Sequence, residues 1–548
     1  MTATRTFVVG NPPIAVNDVD NVNYTATLTT PQNPLVTLYT WDFGDGSAPA
    51  SGPTLTSVSH SWTELKTYNV TLTATTTQGN NVTSTRQVAF RHTPTDVYAG
   101  TLSSSLTWDV DGNPYRVHGI VTIPAGVRLT LQPGVILQFD EQAGLNVNGE
   151  LVSNGLASSS RRVYLTSSLD NSCPGLGGTD QGGSWRGLSF GSGTTANLTG
   201  VVVRHANTGV TGSPSLVANA TFDRCANGIY LEGSTSTPPD VAITNNTFTG
   251  SGLEQAVTLN YSFGTVQISG NKGLAGTAKV RFLHSAILTK DSTFAKQENI
   301  VYEVTPPSYS EYSLTVAQGA TMTMEAGSVW QFHYNTRLQV NGTLRSTGTA
   351  ANPAILTHVS DDSPYGGEDT TGSNRWRGLS YGSGTTANLQ GLFVRYASTG
   401  VGGSPTLVTN GTFDRCSQGI YTTTGGGVVT ATNFLGNTYG IFNSSTLDVD
   451  ARGNWWGDAS GPYHPTKNPN GKGNRVSDYV IIEPWLPKPI DGDINMLDVM
   501  QALKVAAGLT SAMDDDLTRL NVEKADTSAG RIDMRDASRL MRDVAGTN

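Results

Sequence analysis

The chain has 548 residues, with 34 Lys+Arg against 43 Asp+Glu for a net charge of −9, and only 14% of it is charged, where a soluble domain ordinarily carries about 25%. It has no basic blocks to bind nucleic acid or an anionic membrane, and no apolar run long enough to span a bilayer. Glycine, at 62 residues, and a hydrophobic content of 37% favour a turn-rich, mainly β architecture, while three cysteines (Cys173, Cys225, Cys416) without CxxC spacing exclude a disulfide framework.

At the start of the chain, Thr2, Thr4, Arg5 and Pro13 return as Thr83, Thr85, Arg86 and Pro94 at a constant offset of 81, with an apolar triplet between them in both places. A strand-like ending that occurs twice reads residues 1–12 as the last strand of a preceding domain, so more chain is expected upstream. The opening MTATRTFVVG lacks the basic and apolar regions of a secretory leader. Residues 13–95 alternate apolar and polar side chains (Tyr68, Val70, Leu72, Ala74) between turn signals, the pattern of a small β-sandwich. Trp41-Asp42-Phe43-Gly44-Asp45-Gly46-Ser47, then His60-Ser61-Trp62 and Thr67-Tyr68-Asn69-Val70-Thr71-Leu72, resembles the PKD family. That resemblance implies a spacer or protein-contact module of surface proteins and secreted enzymes. Asp42 and Asp45 suit local turn chemistry, in which Asp side chains accept from nearby backbone amides; a metal site is the alternative.

Residues 97–486 carry an internal duplication. Trp185–Tyr230 and Trp376–Tyr421 agree at 34 of 46 positions with an offset of 191, and Gln138-Phe139 and Asn148-Gly149 return as Gln331-Phe332 and Asn341-Gly342 at 193. A shorter rhythm runs inside each copy: Phe413 and Ile420 recur as Phe434 and Ile441, 21 residues on, and Phe222 as Phe248, 26 on. Periods of this length signal a solenoid, and short β-branched runs ended by Asn-Gly or Gly-Ser predict a right-handed parallel β-helix whose coils bury apolar faces on one another. The pairs Phe190/Tyr381, Val201/Leu392 and Val202/Phe393 are expected to face inward, and Cys225 and Cys416 to be small buried hydrophobes. Thr122-Ile-Pro-Ala-Gly126, Leu129-Thr-Leu-Gln-Pro-Gly134 and Trp185-Arg-Gly-Leu, with Asn454-Trp-Trp-Gly457, Ser460-Gly-Pro462 and Pro484-Trp485-Leu486, resemble surface proteins built on pectin lyase-like parallel β-helix repeats. Trp455, Trp456 and Trp485 then cap the last coil; sugar stacking is the alternative.

Residues 487–548 change to helical spacing, with Val499, Leu503 and Ala506, then Ala537, Leu540, Met541 and Val544, ahead of Gly508 and Gly546. The loops before the two helices resemble a degenerate type I dockerin, which implies a small C-terminal α-helical domain that binds Ca²⁺. Placing Gly492 at position 6 of an EF-type loop makes Asp491, Asp493, Asn495 and Asp498 ligands, with Pro487 and Pro489 at positions that ordinarily supply two more. The second loop offers Asp526, Asp533 and Asp536. Met496-Leu497 and Met534-Arg535 stand where clostridial dockerins carry Ser-Thr, which points away from a cellulosomal cohesin and toward a cohesin-like or intramolecular partner of other chemistry.

Asp361-Asp362 opens an Asp/Gly-rich insertion before Trp376, equivalent to Asp170-Asn171 before Trp185. Asp361, Asp362, Glu368 and Asp369 are either a protruding loop or a calcium or saccharide site. The polygalacturonase motif set, HExxH and a nucleophile elbow are not found. The leading reading is a non-catalytic, extracellular or cell-surface protein, structural or adhesive, with the β-helix as a stiff rod. The rival readings are a polysaccharide lyase or glycoside hydrolase, and a carbohydrate-binding rod.

Overall fold

The computed structural model describes residues 10–490 apart from 21–23, 64–66, 91–93, 157–160, 175, 177, 251–254, 275, 307–311, 350, 366–373 and 383–384. The alternation between Ile14 and Phe90 becomes seven strands: β1 (Ala15–Asp20), β2 (Thr25–Thr29), β3 (Val36–Asp42), β4 (Ala50–Gly52), β5 (Ser57–Ser61), β6 (Thr67–Thr76) and β7 (Asn81–Ala89). One antiparallel sheet is ordered β1-β2-β5 and the other β4-β3-β6-β7, and Trp41, Tyr68, Val70 and Leu72 are buried among the residues of this core. The core extends to Ile136 and Cys173 of the first coils.

The turn after β3 shows why its sequence is Asp-Phe-Gly-Asp-Gly-Ser. Gly44 sits at φ +71 with the Asn69 carbonyl oxygen 2.4 Å from where a Cβ would stand, so no other residue fits. Asp42 accepts from the Gly44 amide at 2.9 Å, and Asp45 accepts from the Ser47 amide at 3.0 Å and hydroxyl at 2.6 Å. His60 Nε2 lies 2.7 Å from Asp45, and its ring stacks on Phe43 at 3.7 Å. Burial works against the Asp45 charge, yet the bonds from Ser47 and His60 hold its carboxyl down at about 2.

From Thr95 onward the strand ladders are parallel, each strand pairing with strands one coil away. The chain divides into two compact units, Met1–Leu283 with Gln297–Val301, and His284–Lys296 with Tyr302–Asn548. In the first, register places like on like. Val121, Leu145, Leu188, Val210, Ile229 and Val257 form one column, continued by Val280. Leu137, Leu165, Val203, Phe222 and Phe248 form a second, and Ala196, Val217, Ile243 and Ile268 a third. In the second unit Leu314, Leu338, Leu379, Val401, Ile420 and Ile441 repeat the first column. Burying each such side chain is worth about 2 kcal/mol, but only when a neighbouring coil covers it. The periods of 21 and 26 are these coils: Phe222 pairs Phe248, Phe413 pairs Phe434 and Ile420 pairs Ile441.

One expectation fails by strand geometry. Val201 and Leu392 are buried inward positions, as are Phe190 and Tyr381. Val202 and Phe393 are the next residues along, so they alternate to the other face of the strand, where Val202 is nonetheless buried. Phe393 is only partly buried there, beneath the Arg395 guanidinium at 5.5 Å.

Corner asparagines tie coil to coil where apolar columns cannot. In the first unit the Ala220 amide donates to Asn246, whose own amide donates to Asn271, whose amide donates to Gln297. In the second, Cys416 donates to Asn437, and Asn437 to Asn474. At the last described coil Trp456 is fully buried on Phe434, rings 4.7 Å apart, and Trp485 covers Gly461. Trp455 is partly buried.

Among the described residues there is no α-helix, and no helix long and apolar enough to cross a membrane. The dockerin-like segment, with Asp491, Asp493, Asn495, Asp498, Asp526, Asp533 and Asp536, lies outside the described residues.

Because the Asp45 carboxyl sits at about 2 in the fold against an ordinary 3.8, its contribution is complete above pH 3.8 and disappears as pH falls toward 2. Asp45→Asn is expected to cost about 1 kcal/mol at neutral pH, read as faster hydrogen exchange of β3 and β6 amides. The difference from the parent should close between pH 3.8 and 2. A gap unchanged at pH 2 would show that the carboxylate charge does not hold this turn.

Candidate functional site

Both copies of the duplication bury the same charged cluster along one corner of their coils. Arg204 and Asp223 end the strands Val201–Arg204 and Thr221–Asp223, and the next residues, His205 at φ +56 and Arg224 at φ +53, turn the chain. Arg395, Tyr396, Asp414 and Arg415 repeat this, with φ of +52 at both Tyr396 and Arg415. Adjacent coils lie about 4.8 Å apart, so charges at equivalent corners must find partners of opposite sign or be expelled.

The partner is the first residue of each Asp-rich insertion. Asp170 is fully buried; it accepts from Thr166 at 2.7 Å, Ser172 at 2.7 Å and Arg204 Nη1 at 2.8 Å. Asp361, also fully buried, accepts from Thr357 at 2.6 Å, Ser363 at 2.6 Å and Arg395 Nη1 at 2.8 Å. The same guanidiniums donate through Nε to Asp223 at 3.0 Å and Asp414 at 3.1 Å. Trp185 and Trp376 each send an indole N–H to the carbonyl of that arginine at 2.7 Å. Each clamp therefore joins three successive coils and fixes the base of the insertion. Its donors and acceptors are matched, as a low-dielectric site requires.

In the first unit Asp180 and His205 join the cluster. One ligand atom from each of Asp170, Asp180 and His205 lies within 4.8 Å of the others, a spacing a divalent cation could use. Arg204 and Arg224 already supply the compensating charge: Arg224 Nη1 donates to Asp180, and Arg204 Nη2 lies 3.5 Å from it. Burial opposes the Asp180 charge, but the Gly182 amide, His205 and Arg204 hold its carboxyl below the usual range. A dication here would be pressed against two guanidiniums. The second unit replaces His205 with Tyr396, which accepts from Arg415 and has Arg375 and Arg395 within 5.5 Å of its ring centre. What the duplication repeats is the Asp–Arg clamp, not the metal-like triad.

Of the residues singled out in the insertion, Asp361 is thus buried in the clamp, and partly buried Asp362 accepts from Gln331 at 2.9 Å. Glu368 and Asp369 lie outside the described residues. Cys173, Cys225 and Cys416 are buried thiols, each pushed up to about 12, above all by burial, which makes them poor nucleophiles. Arg204, Arg395, Thr166 and Thr357 were not foreseen. All four recur at the 191 offset, but Arg204 and Arg395 do so within a stretch of 34 identities in 46 that offers no contrast, and Thr166 and Thr357 are two threonines among many.

Asp361→Asn strips the buried Arg395 of one of its two carboxylates and should lower stability by about 3 kcal/mol, with Asp170→Asn costing the same in the first unit. Denaturant unfolding of the full chain checks both, and pairing Asp361→Leu with Arg395→Met should recover much of the loss. No loss in either single variant would remove the clamp from the account.

Residues 7–90 match the family model of the PKD domain, a stretch that coincides with the antiparallel sandwich. Neither a search of curated proteins nor one of solved structures found a match.

Proposed function

We propose that this chain is a non-catalytic structural or adhesive protein of a cell surface or extracellular assembly. In this reading the stacked parallel coils are right-handed and serve as stiff support, and the PKD domain is a spacer or contact module. The observation that carries it is the duplicated clamp: the buried carboxylates of Asp170 and Asp361 each accept from an arginine that also donates to a second aspartate, Asp223 or Asp414, one coil further on, binding coil to coil in both copies. Glycoside hydrolysis needs two carboxylates flanking a bound sugar, whereas Asp170 and Asp361 are fully buried. The PKD match supports an extracellular setting. Residues 491–548 extend the reading by sequence pattern alone: a dockerin-like pair of loops taking Ca²⁺ through Asp491, Asp493, Asn495 and Asp498, and through Asp526, Asp533 and Asp536, and meeting a partner through Met496 and Leu497.

The test incubates the full chain with neutral and acidic polysaccharides, with and without calcium, and follows new reducing ends and unsaturated products. No turnover is expected in any arm, and antibodies to the chain should label intact cells of its source. Turnover of any polysaccharide overturns the non-catalytic reading. Calorimetric titration of Ca²⁺ into the same protein should give binding that weakens in Asp498→Ala and Asp536→Ala; heats unchanged by both would remove calcium from the terminal module.

A further inference from the structure

Strand register gives the two copies one matching outward column. In the first it runs Ile136, Tyr164, Val202, Thr221 and Thr247, and in the second Val329, Ile355, Phe393, Thr412 and Asn433, each residue set over the next by the parallel ladder. The apolar half of the first column is occupied. Ile136 belongs to the core of the antiparallel sandwich, Tyr164 packs against that core, and Cys173 and Leu176 of the Asp-rich insertion join them. A small module is thus seated there, beside an insertion whose base the bond from Arg204 to Asp170 fixes.

The second column keeps the apolar half. Ile355 and Phe393 point away from the interior of the coils, since Ala354, Leu356, Leu392 and Val394 on either side of them are the buried inward residues, and both are only partly buried. Stacking does not ask for apolar groups here, because the next outward position is a threonine in both copies, Thr221 and Thr412. Ile490, the last described residue, is tied to the polar end of the same column: its amide donates to the Asn433 side-chain oxygen and its carbonyl accepts from the Asn433 side-chain amide, both at 2.8 Å. Where the first copy has Thr247, Asn433 presents a separate donor and acceptor that grip one backbone residue as a strand neighbour would. With coils about 4.8 Å apart, Phe393 stands about 10 Å and Ile355 about 14 Å along the column from this anchor, and the chain from Ile490 to Met496 spans up to about 20 Å. Beyond it, Met496, Met500 and Leu503 recur at i, i+4 and i+7, one face of a helical pattern. Five of the chain's eight methionines stand in residues 491–548, and methionine adapts to irregular apolar surfaces and favours an aromatic ring such as that of Phe393.

We infer that the terminal segment 491–548 is seated on the outward column of the second copy, its face of Met496, Met500 and Leu503 packed over Phe393 and Ile355, at the place where the first copy seats the sandwich. Each copy of the duplication then carries one small module on the same face of its coils. The inference deepens the reading of residues 491–548 given above and rests on it, because it names the partner met through Met496 as the outer face of this chain's own coils. A segment seated this way is held against the coils, and its Met496 surface is not offered to a second protein. The sandwich of another copy is the rival occupant, but a segment already delivered to Asn433 meets the column at an effective concentration that a separate molecule does not match.

The test digests the full chain with trypsin under native conditions, with calcium present, and follows cleavage at Lys504, Arg519 and Lys524 by mass. These sites should resist in the parent. Ile355→Thr combined with Phe393→Thr, which extends the threonine already present at Thr412, should speed cleavage there about tenfold or more, and so should Leu503→Asp. Rapid cleavage in the parent, or cleavage no faster in the variants, overturns the inference; protection that rises with protein concentration puts a second copy on the column and overturns it too. A second measurement does not depend on loosening anything. Because Cys173, Cys225 and Cys416 are buried, Leu503→Cys paired with Phe393→Cys or with Ile355→Cys supplies the accessible thiols, and a short bis-maleimide should join them within one chain. A two-chain product, or no product from either pair, overturns the seating. Protection and cross-linking without calcium heats leave the seating standing and remove the metal from the terminal segment, while calcium heats without protection do the reverse.

Discussion

Everything in the coil region depends on in-register stacking of parallel strands. A parallel ladder sets each residue over its counterpart one coil away, so an inward position must accept a neighbour of its own kind above and below. The result is the column Leu314, Leu338, Leu379, Val401, Ile420 and Ile441. The same rule sets where glycine is compulsory. At Gly187 and Gly378 a Cβ would stand 1.6 Å from the Thr208 and Thr399 carbonyl oxygens, and both ladders shift register just after these residues. The Trp-Arg-Gly-Leu motif is therefore an indole on the core side followed by a backbone that another backbone nearly touches.

Stacking also disposes of polar groups. Like charges in a column would lie about 4.8 Å apart, so charges on neighbouring coils are met by opposite ones, as Arg128 faces Glu150 across a ladder, and the clamps sit at corners, where left-handed residues swing the chain from one face to the next. There the clamps of Asp170 with Arg204 and Asp361 with Arg395 tie strands that the apolar columns already hold. The corner asparagines do so without charge, each satisfying a backbone amide one coil away. A buried pair of this kind adds little over an apolar substitute, but losing one partner is costly. It thus fixes one arrangement of the insertions rather than adding to the stability of the stack. The low charge content of the chain and its buried charge clusters follow from the same geometry.

The sandwich was readable because its turn chemistry is local: Asp42, Gly44, Asp45 and Ser47 meet within a few residues, and His60 and Trp62 return on the facing strand. Coil length was readable because Phe222/Phe248 and Phe413/Phe434 are stacked partners, so sequence period and spatial period are one quantity. Val202 and Phe393 are as apolar as their inward neighbours Val201 and Leu392, so apolar character alone does not tell the two faces of these strands apart; alternation along the strand does. The Arg204 clamp escaped notice because its members are 34 residues apart, a separation that depends on the length of an insertion as well as on the coil. Substitutions inside the repeat are more telling than identities: Gly144/Arg337, Ser184/Arg375 and Thr211/Gly402 mark a face on which the copies differ in chemistry, as His205/Tyr396 does at the clamp corner.

The sequence by itself determined a PKD-like sandwich followed by duplicated parallel coils, because stacking writes its apolar requirement into every coil and turn chemistry is confined to neighbours along the chain. The tertiary structure alone decided which polar residues meet. A coil carries residues more than twenty positions apart to within bonding distance, and side-chain direction at a corner decides whether an Asp or Arg seals the stack or faces outward. Asp361, which in the sequence could be a surface ligand, is sealed inside by Arg395. Arg337, unremarkable in the sequence, lines an open trough with Arg375 and Arg377.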